Sequence, residues 1–120
     1  MIDLFEDITY ELTPYELEQV ALFVTSFQKR VGKDKIISNA QIQAHYKKLG
    51  GPMSGVRVRK IINYIRNEGL VSCLVANSKG YYVSNDPEEV KRYINSLKQR
   101  ERAIRDIREK LEADYNLMEH

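Results

Sequence analysis

"SGVRVRKIINYIRNEGL", residues 54–70, is the stretch whose reading decides the fold. Its seventeen residues hold four cations (Arg57, Arg59, Lys60 and Arg66) and six branched aliphatics. Ser54 is a residue type that caps helix amino ends, and Gly69 suits the position just past a helix end. At roughly 100° per residue, Val58, Ile61, Ile62 and Ile65 fall together on one side. Val56, Lys60, Asn63 and Asn67 fall opposite, with Arg57 and Tyr64 on one flank and Arg59 and Arg66 on the other. The pattern predicts a helix with one stripe seated in a core and a basic, amide-bearing stripe turned outward.

Two further helix starts precede it. In "LTPYELEQVALFVTSFQKRVG", residues 12–32, Thr13 caps, Pro14 takes the first helical position and Glu16 completes a capping box. Leu17, Val20, Phe23 or Val24, and Phe27 give the expected apolar stripe, and Gly32 a stop. Ile36–Ile37 is too short for an independent strand but long enough to join a small sheet. Ser38 then caps a second helix with Gln41 in its box, and Ile42, Tyr46 and Leu49 form its stripe. Gly50–Gly51–Pro52 ends that helix.

After the quoted stretch, "LVSCLVANSKGYYVS", residues 70–84, predicts a β-hairpin turning at Asn77–Ser78–Lys79–Gly80. Tyr81 and Tyr82 should point to opposite faces, and core packing is expected of both. Asp86–Pro87–Glu88–Glu89 opens a last helix that runs without internal Gly or Pro to about Tyr115.

Charge is segregated along the chain. Residues 1–28 carry six acids and no base, whereas residues 29–81 carry eleven Lys or Arg against only Asp34 and Glu68. Residues 82–120 are close to balanced. A basic middle block of this kind points to an anionic partner. The lone Cys73 excludes an internal disulfide or a cysteine-rich zinc site, and is expected to be a small packing residue within a strand. No secretory signal is visible and no stretch approaches the ~20 apolar residues of a membrane span. The expectation is a soluble cytoplasmic protein.

The order α, short β, α, α, β-hairpin, long α resembles winged helix-turn-helix DNA-binding proteins, of the small kind common in bacteriophages and mobile elements. The resemblance covers about Thr13 to Ser84. It rests on capped "SNAQIQAHY", capped "SGVRVRKIINYIRNEGL" and "NSKGYY", with "SNDPEEVKRYINSL" following. It implies an α+β fold of three helices plus a hairpin wing, with the third helix in the DNA major groove and the wing on flanking backbone or minor groove. The loop Gly50–Met53 is longer than the tight turn of the simplest helix-turn-helix motifs. The expected domains are an acidic arm (1–12), the winged domain (13–85) and a long C-terminal helix (86–118).

On that reading the DNA-binding residues are Ser54, Gly55, Val56, Arg57, Arg59, Lys60, Asn63, Asn67, Lys79, Lys47 and Lys48. Arginine and lysine pair with guanine edges or phosphates, and Asn63 suits adenine. The capped amino end at Ser54–Gly55 offers N–H groups to a phosphate, and Gly55 permits close backbone approach. Lys79 sits at the wing tip. Lys47 and Lys48 either touch phosphate or favour the carboxyl end of their helix dipole. The partner is double-stranded DNA, and the use is transcriptional control ahead of phage or plasmid replication. The alternative is a protein-interaction or replication-accessory module that recruits its partner through the C-terminal helix. Reversing the charges of Arg57 and Lys60 is the expected discriminator.

The last helix repeats Val90, Leu97, Ile104, Leu111 and Met118 at sevens, supplemented by Tyr93, Ile94 and Ile107 and interrupted by Arg100 and Asp114. Leu97, Ile104, Ile107, Leu111 and Met118 are the expected dimerisation residues of a homodimer. No enzyme is expected: His45 has no second ligand at metal spacing, and Gly50–Gly51–Pro52 lacks the P-loop pattern. No metal, cofactor or small-molecule ligand is implied.

Overall fold

Each helix of the amino-terminal part begins where a hydroxyl can catch its free amides. In the computed structural model, which describes residues 11–118, helix α1 spans Pro14–Gln28, α2 Asn39–Leu49 and α3 Gly55–Asn67. Thr13 and Ser38 form reciprocal capping boxes with Glu16 and Gln41. Ser54 Oγ accepts the amide of Arg57 at 3.2 Å. Gly50 closes α2 in the left-handed conformation, at φ +78°. Gly69, at φ +64°, follows α3 in the same way.

The four aliphatics of α3 are all buried: Val58, Ile61, Ile62 and Ile65 sit at the centre of a core with Phe23 and Phe27 of α1 and Ile42 and Tyr46 of α2. Helix α3 packs against both α1 and α2. Phe23 meets Phe27 edge-on, with ring centroids 6.2 Å apart, and lies 5.9 Å from the Tyr46 ring. Two stripes differ from the expected ones. Leu17 is 49% exposed, and the buried residue of that turn is Glu16. Leu49 is 66% exposed at the last turn of α2, where the chain leaves for Gly50.

Strands β1 (Leu74–Asn77) and β2 (Gly80–Val83) pair antiparallel, Leu74 with Val83 and Asn77 with Gly80. The turn has Ser78 and Lys79 at its tip, and Asn77 Oδ1 accepts the Lys79 amide at 2.8 Å. Strand β1 is shorter than the sequence suggests. Leu70 N–H turns back to Ile65 O at 3.0 Å, Val71 is buried, and Cys73 takes a left-handed φ of +58°. Cys73 therefore lies exposed ahead of the strand, not packed within it. The pair Ile36–Ile37 does join the sheet. Ile37 and Tyr81 exchange both backbone hydrogen bonds, at 3.0 and 2.8 Å, on the free edge of β2.

That pairing explains Gly80. A Cβ there would lie 2.2 Å from the carbonyl oxygen of Ile37, and φ is +145°. Only glycine lets the two backbones approach. Tyr82 is buried, while Tyr81 is half-buried with its ring 6.3 Å from that of Phe27. Tyr81 thus packs against the helical core, while Tyr82 is buried outside that cluster.

The chain divides between Asp86 and Pro87 into two units. The second holds helix α4, Pro87–Leu117, thirty-one residues with no buried residue. The fold is mixed α+β: helices, one antiparallel hairpin and a long carboxyl-terminal helix. Residues 1–10, most of the expected acidic arm, lie outside the described residues. Leu12, placed in that arm by the sequence, packs against the core. No helix among the described residues is long and apolar enough to cross a membrane.

Candidate nucleic-acid interface

Helix α3 presents its outer side through two different kinds of residue. Val56, Arg59, Asn63 and Asn67 follow one another at helical spacing, opposite the buried aliphatics, and all are exposed or half-exposed. Arg59 Nη1 comes within 3.7 Å of the point where a Gly55 side chain would begin, so its guanidinium lies at the amino end of the helix. A guanidinium, an isopropyl group and two carboxamides form a surface able to donate, accept and make apolar contact.

Arg57 and Lys60 belong to a second set. Lys60 Nζ donates to Glu16 Oε1 at 2.8 Å, and Arg57 Nε lies 3.3 Å from Glu16 Oε2. Glu16 is only 1% exposed and the Lys60 side chain only 13%. The Arg57 guanidinium stands 5.2 Å from the centroid of the Tyr15 ring and reaches back to the carbonyl of Pro52 at 3.4 Å. Lys60, expected on the outward stripe, is instead turned to α1. Its long stem swings the ammonium sideways to the carboxylate buried at the helix–helix seam.

Glu16 was legible only as a capping-box residue, and it does that work too: Thr13 N–H donates to Oε1 at 2.8 Å. Burial pushes its carboxyl up. The Lys60 hydrogen bond, the Thr13 amide and the Lys60 charge outweigh that effect, so its pKa lies below the ordinary 4.5. One carboxylate thus caps α1, fixes its rotation against α3 and holds two cations of the basic block. The available sequence signal is its spacing. Glu16, Val20, Phe23 and Phe27 share one helical face, so the carboxylate stands in line with core residues.

Gly55 also has a use within the fold. Asn39 Nδ2 donates to Gly55 O at 3.1 Å, Gln43 Nε2 donates to Asn39 Oδ1 at 2.6 Å, and a Gly55 Cβ would sit 3.3 Å from Gln43 Nε2. The absence of a side chain lets the first turns of α2 and α3 meet. Ser54 spends its hydroxyl on the Arg57 amide.

Lys79 is exposed at the hairpin tip. Lys47 and Lys48 are exposed on the last turn of α2, ahead of the Gly50 cap. Arg66 lies inward, its guanidinium 5.8 Å from the Tyr81 ring centroid. The expected dimerisation residues Leu97, Ile104, Ile107, Leu111 and Met118 are all exposed on α4 and its carboxyl end. His45 is exposed beside Tyr46. Among the described residues no three His, Cys, Asp or Glu side chains gather as a metal site. No family profile, curated protein or solved structure matches the chain.

Proposed function

We propose that the chain is a winged helix-turn-helix protein that binds duplex DNA as a homodimer and regulates transcription. On this reading α3 enters the major groove, the β1–β2 hairpin is the wing that meets flanking backbone, and α4 joins two copies. The observation that carries it is α3 itself. One side is locked by four buried aliphatics, and the other offers Val56, Arg59, Asn63 and Asn67 within a chain segment of high positive charge. Base edges are read by these four, phosphates by Lys79, Lys47 and Lys48 and by the first amides of α3. Arg57 and Lys60 orient the helix by holding Glu16 and do not read bases. Supporting the fold assignment is the Ile37 pairing, by which the short β segment expected between the first two helices joins the sheet beside β2.

The test is fluorescence anisotropy of a labelled mixed-sequence duplex at low and near-physiological salt. Wild-type binding should weaken steeply with salt. Arg59→Glu with Lys79→Glu should lose most affinity while retaining the folded state by circular dichroism. Each phosphate that the variant no longer neutralises should flatten the log–log salt slope by about 0.9. Arg57→Glu and Lys60→Glu are unsuitable for this purpose, because they place a second carboxylate against Glu16. Absence of wild-type binding at low salt would overturn the reading and leave recruitment of a protein partner through α4 as the function.

A further inference from the structure

Helix α4 carries the heptad pattern on a helix with no buried residue. Counting Val90 as the first core position of the repeat, Leu97, Ile104, Leu111 and Met118 follow at sevens. The second core position is filled by Tyr93, Arg100, Ile107 and Asp114. Ile107 and Leu111 are 61% and 62% exposed. Lys91, Lys98, Arg105 and Glu112, with Arg102 and Glu109, fall on the outer positions and keep that side wet. The stripe therefore has the geometry of one strand of a two-stranded coil, and the charges within it decide how a second copy lies.

A parallel, in-register pair is self-repelling. It sets Arg100 against the partner's Arg100 and Asp114 against the partner's Asp114 in the core layers, and no flanking pair brings opposite charges together. The flanking pairs it does make are Glu89 with the partner's Ile94, Ser96 with the partner's Glu101, Ala103 with the partner's Arg108, and Lys110 with the partner's Tyr115. Reversal of one strand changes each of these. With the twofold axis between Arg105 and Asp106, Ile104 packs on the partner's Ile107, and Arg100 lies along the partner's Leu111. The guanidinium of Arg100 is then one layer, about 4.5 Å along the axis, from the partner's Asp114. On the flanks Glu101 meets the partner's Arg108 twice over, and Ile94 meets the partner's Tyr115. A slip of one heptad in either direction replaces these pairs by Arg108 against the partner's Arg108, or Glu101 against the partner's Glu101. Polarity and register are both specified.

We infer that α4 pairs with α4 of a second copy as an antiparallel two-stranded coiled coil centred between Arg105 and Asp106, because only this arrangement sets Arg100 by Asp114 and Glu101 by Arg108. The inference rests on the homodimer reading and adds its direction. Its consequence is spacing. The two Pro87 positions, where α4 begins, lie about 55 Å apart in the antiparallel pair, against roughly one helix diameter of ~10 Å in a parallel one. Arg108 also pairs with Glu112 and Glu109 within its own helix, which pre-orders the helix without occupying the apolar stripe.

The experiment uses the full chain without DNA. Light scattering after size exclusion reads the mass, and a Cys73→Ser background carrying single cysteines reads the direction by disulfide formation. Expected is a dimer in which Leu97→Cys chains link to Asp114→Cys chains when mixed, and in which Leu97→Cys alone does not link to itself. Glu101→Arg should raise the dimer dissociation constant about tenfold or more, and adding Arg108→Glu to it should restore most of the loss. A dimer that self-links through Leu97→Cys, or that the double reversal fails to rescue, overturns the antiparallel pairing and leaves the homodimer reading intact. A monomer at every concentration overturns both.

Discussion

Lys60→Met tests the claim that the basic face of α3 is partly spent on holding the fold together. Lys60 is the 2.8 Å partner of a carboxylate that is 1% exposed, and methionine keeps the stem while removing the charge. Breaking a buried pair from one side costs about 3–5 kcal/mol, because the remaining ion is left desolvated. Glu16 would keep Arg57 at 3.3 Å and the Thr13 amide at 2.8 Å, which places the expected loss at the low end, about 3 kcal/mol at pH 7. For a domain of this size that is a fall in Tm of about 12–24 °C. The pH dependence should weaken as well. In the wild type the folded pKa of Glu16 is lowered, so its contribution is present above 4.5 and is lost as pH falls through the lowered value. In Lys60→Met the hydrogen bond and charge of Lys60 no longer oppose burial, while the Thr13 amide and Arg57 remain. The folded pKa should then lie closer to the ordinary 4.5, and the stability lost in acid should shrink. Urea unfolding followed by tyrosine fluorescence, with eight tyrosines and no tryptophan, reads both effects. A variant within about 0.5 kcal/mol of wild type at pH 7, or one with the wild-type pH slope, would refute the assignment of Glu16 as a charged buried anchor. Glu16→Leu combined with Lys60→Met should recover only part of the loss, since it removes the buried unpaired charge but leaves the Thr13 amide without its acceptor.

Two further outcomes follow from the backbone. Gly80→Ala should cost at least about 3 kcal/mol and strip hydrogen-exchange protection from the amides of Ile37 and Tyr81, because its methyl would meet the Ile37 carbonyl at 2.2 Å. Cys73→Gly should stabilise by about 1 kcal/mol in thermal denaturation, since Cys73 is exposed and held at φ +58°. An unchanged Tm would show that the left-handed residue carries no cost.

The local features of this chain were legible because they depend on neighbours in sequence. Thr13 with Glu16 and Ser38 with Gln41 announce their helices through contacts three residues apart. The turn at Asn77–Gly80 and the buried face of α3 follow from turn chemistry and helical period in the same way. Leu17 and Leu49 show where period alone misleads. A residue on the edge of an apolar stripe is buried only if a partner element covers it, and among the described residues none covers these two.

The candidate interface was half legible. The basic block and the outward stripe come straight from the residues, whereas the division of that stripe between Val56, Arg59, Asn63 and Asn67 and the anchored pair Arg57 and Lys60 does not. That division is set by Glu16, forty-four positions from Lys60 and brought beside it only when α1 packs on α3. Gly80 is a second case. Its place in a turn is a sequence property, but its necessity comes from the Ile37 backbone paired against the edge of the strand. The sequence by itself determined the helices, the hairpin and the distribution of charge, since each is written in spacings of two to seven residues. Tertiary structure alone decided which cations are held by Glu16, because a buried carboxylate binds whichever long basic side chains the packing brings to it, here at 2.8 and 3.3 Å.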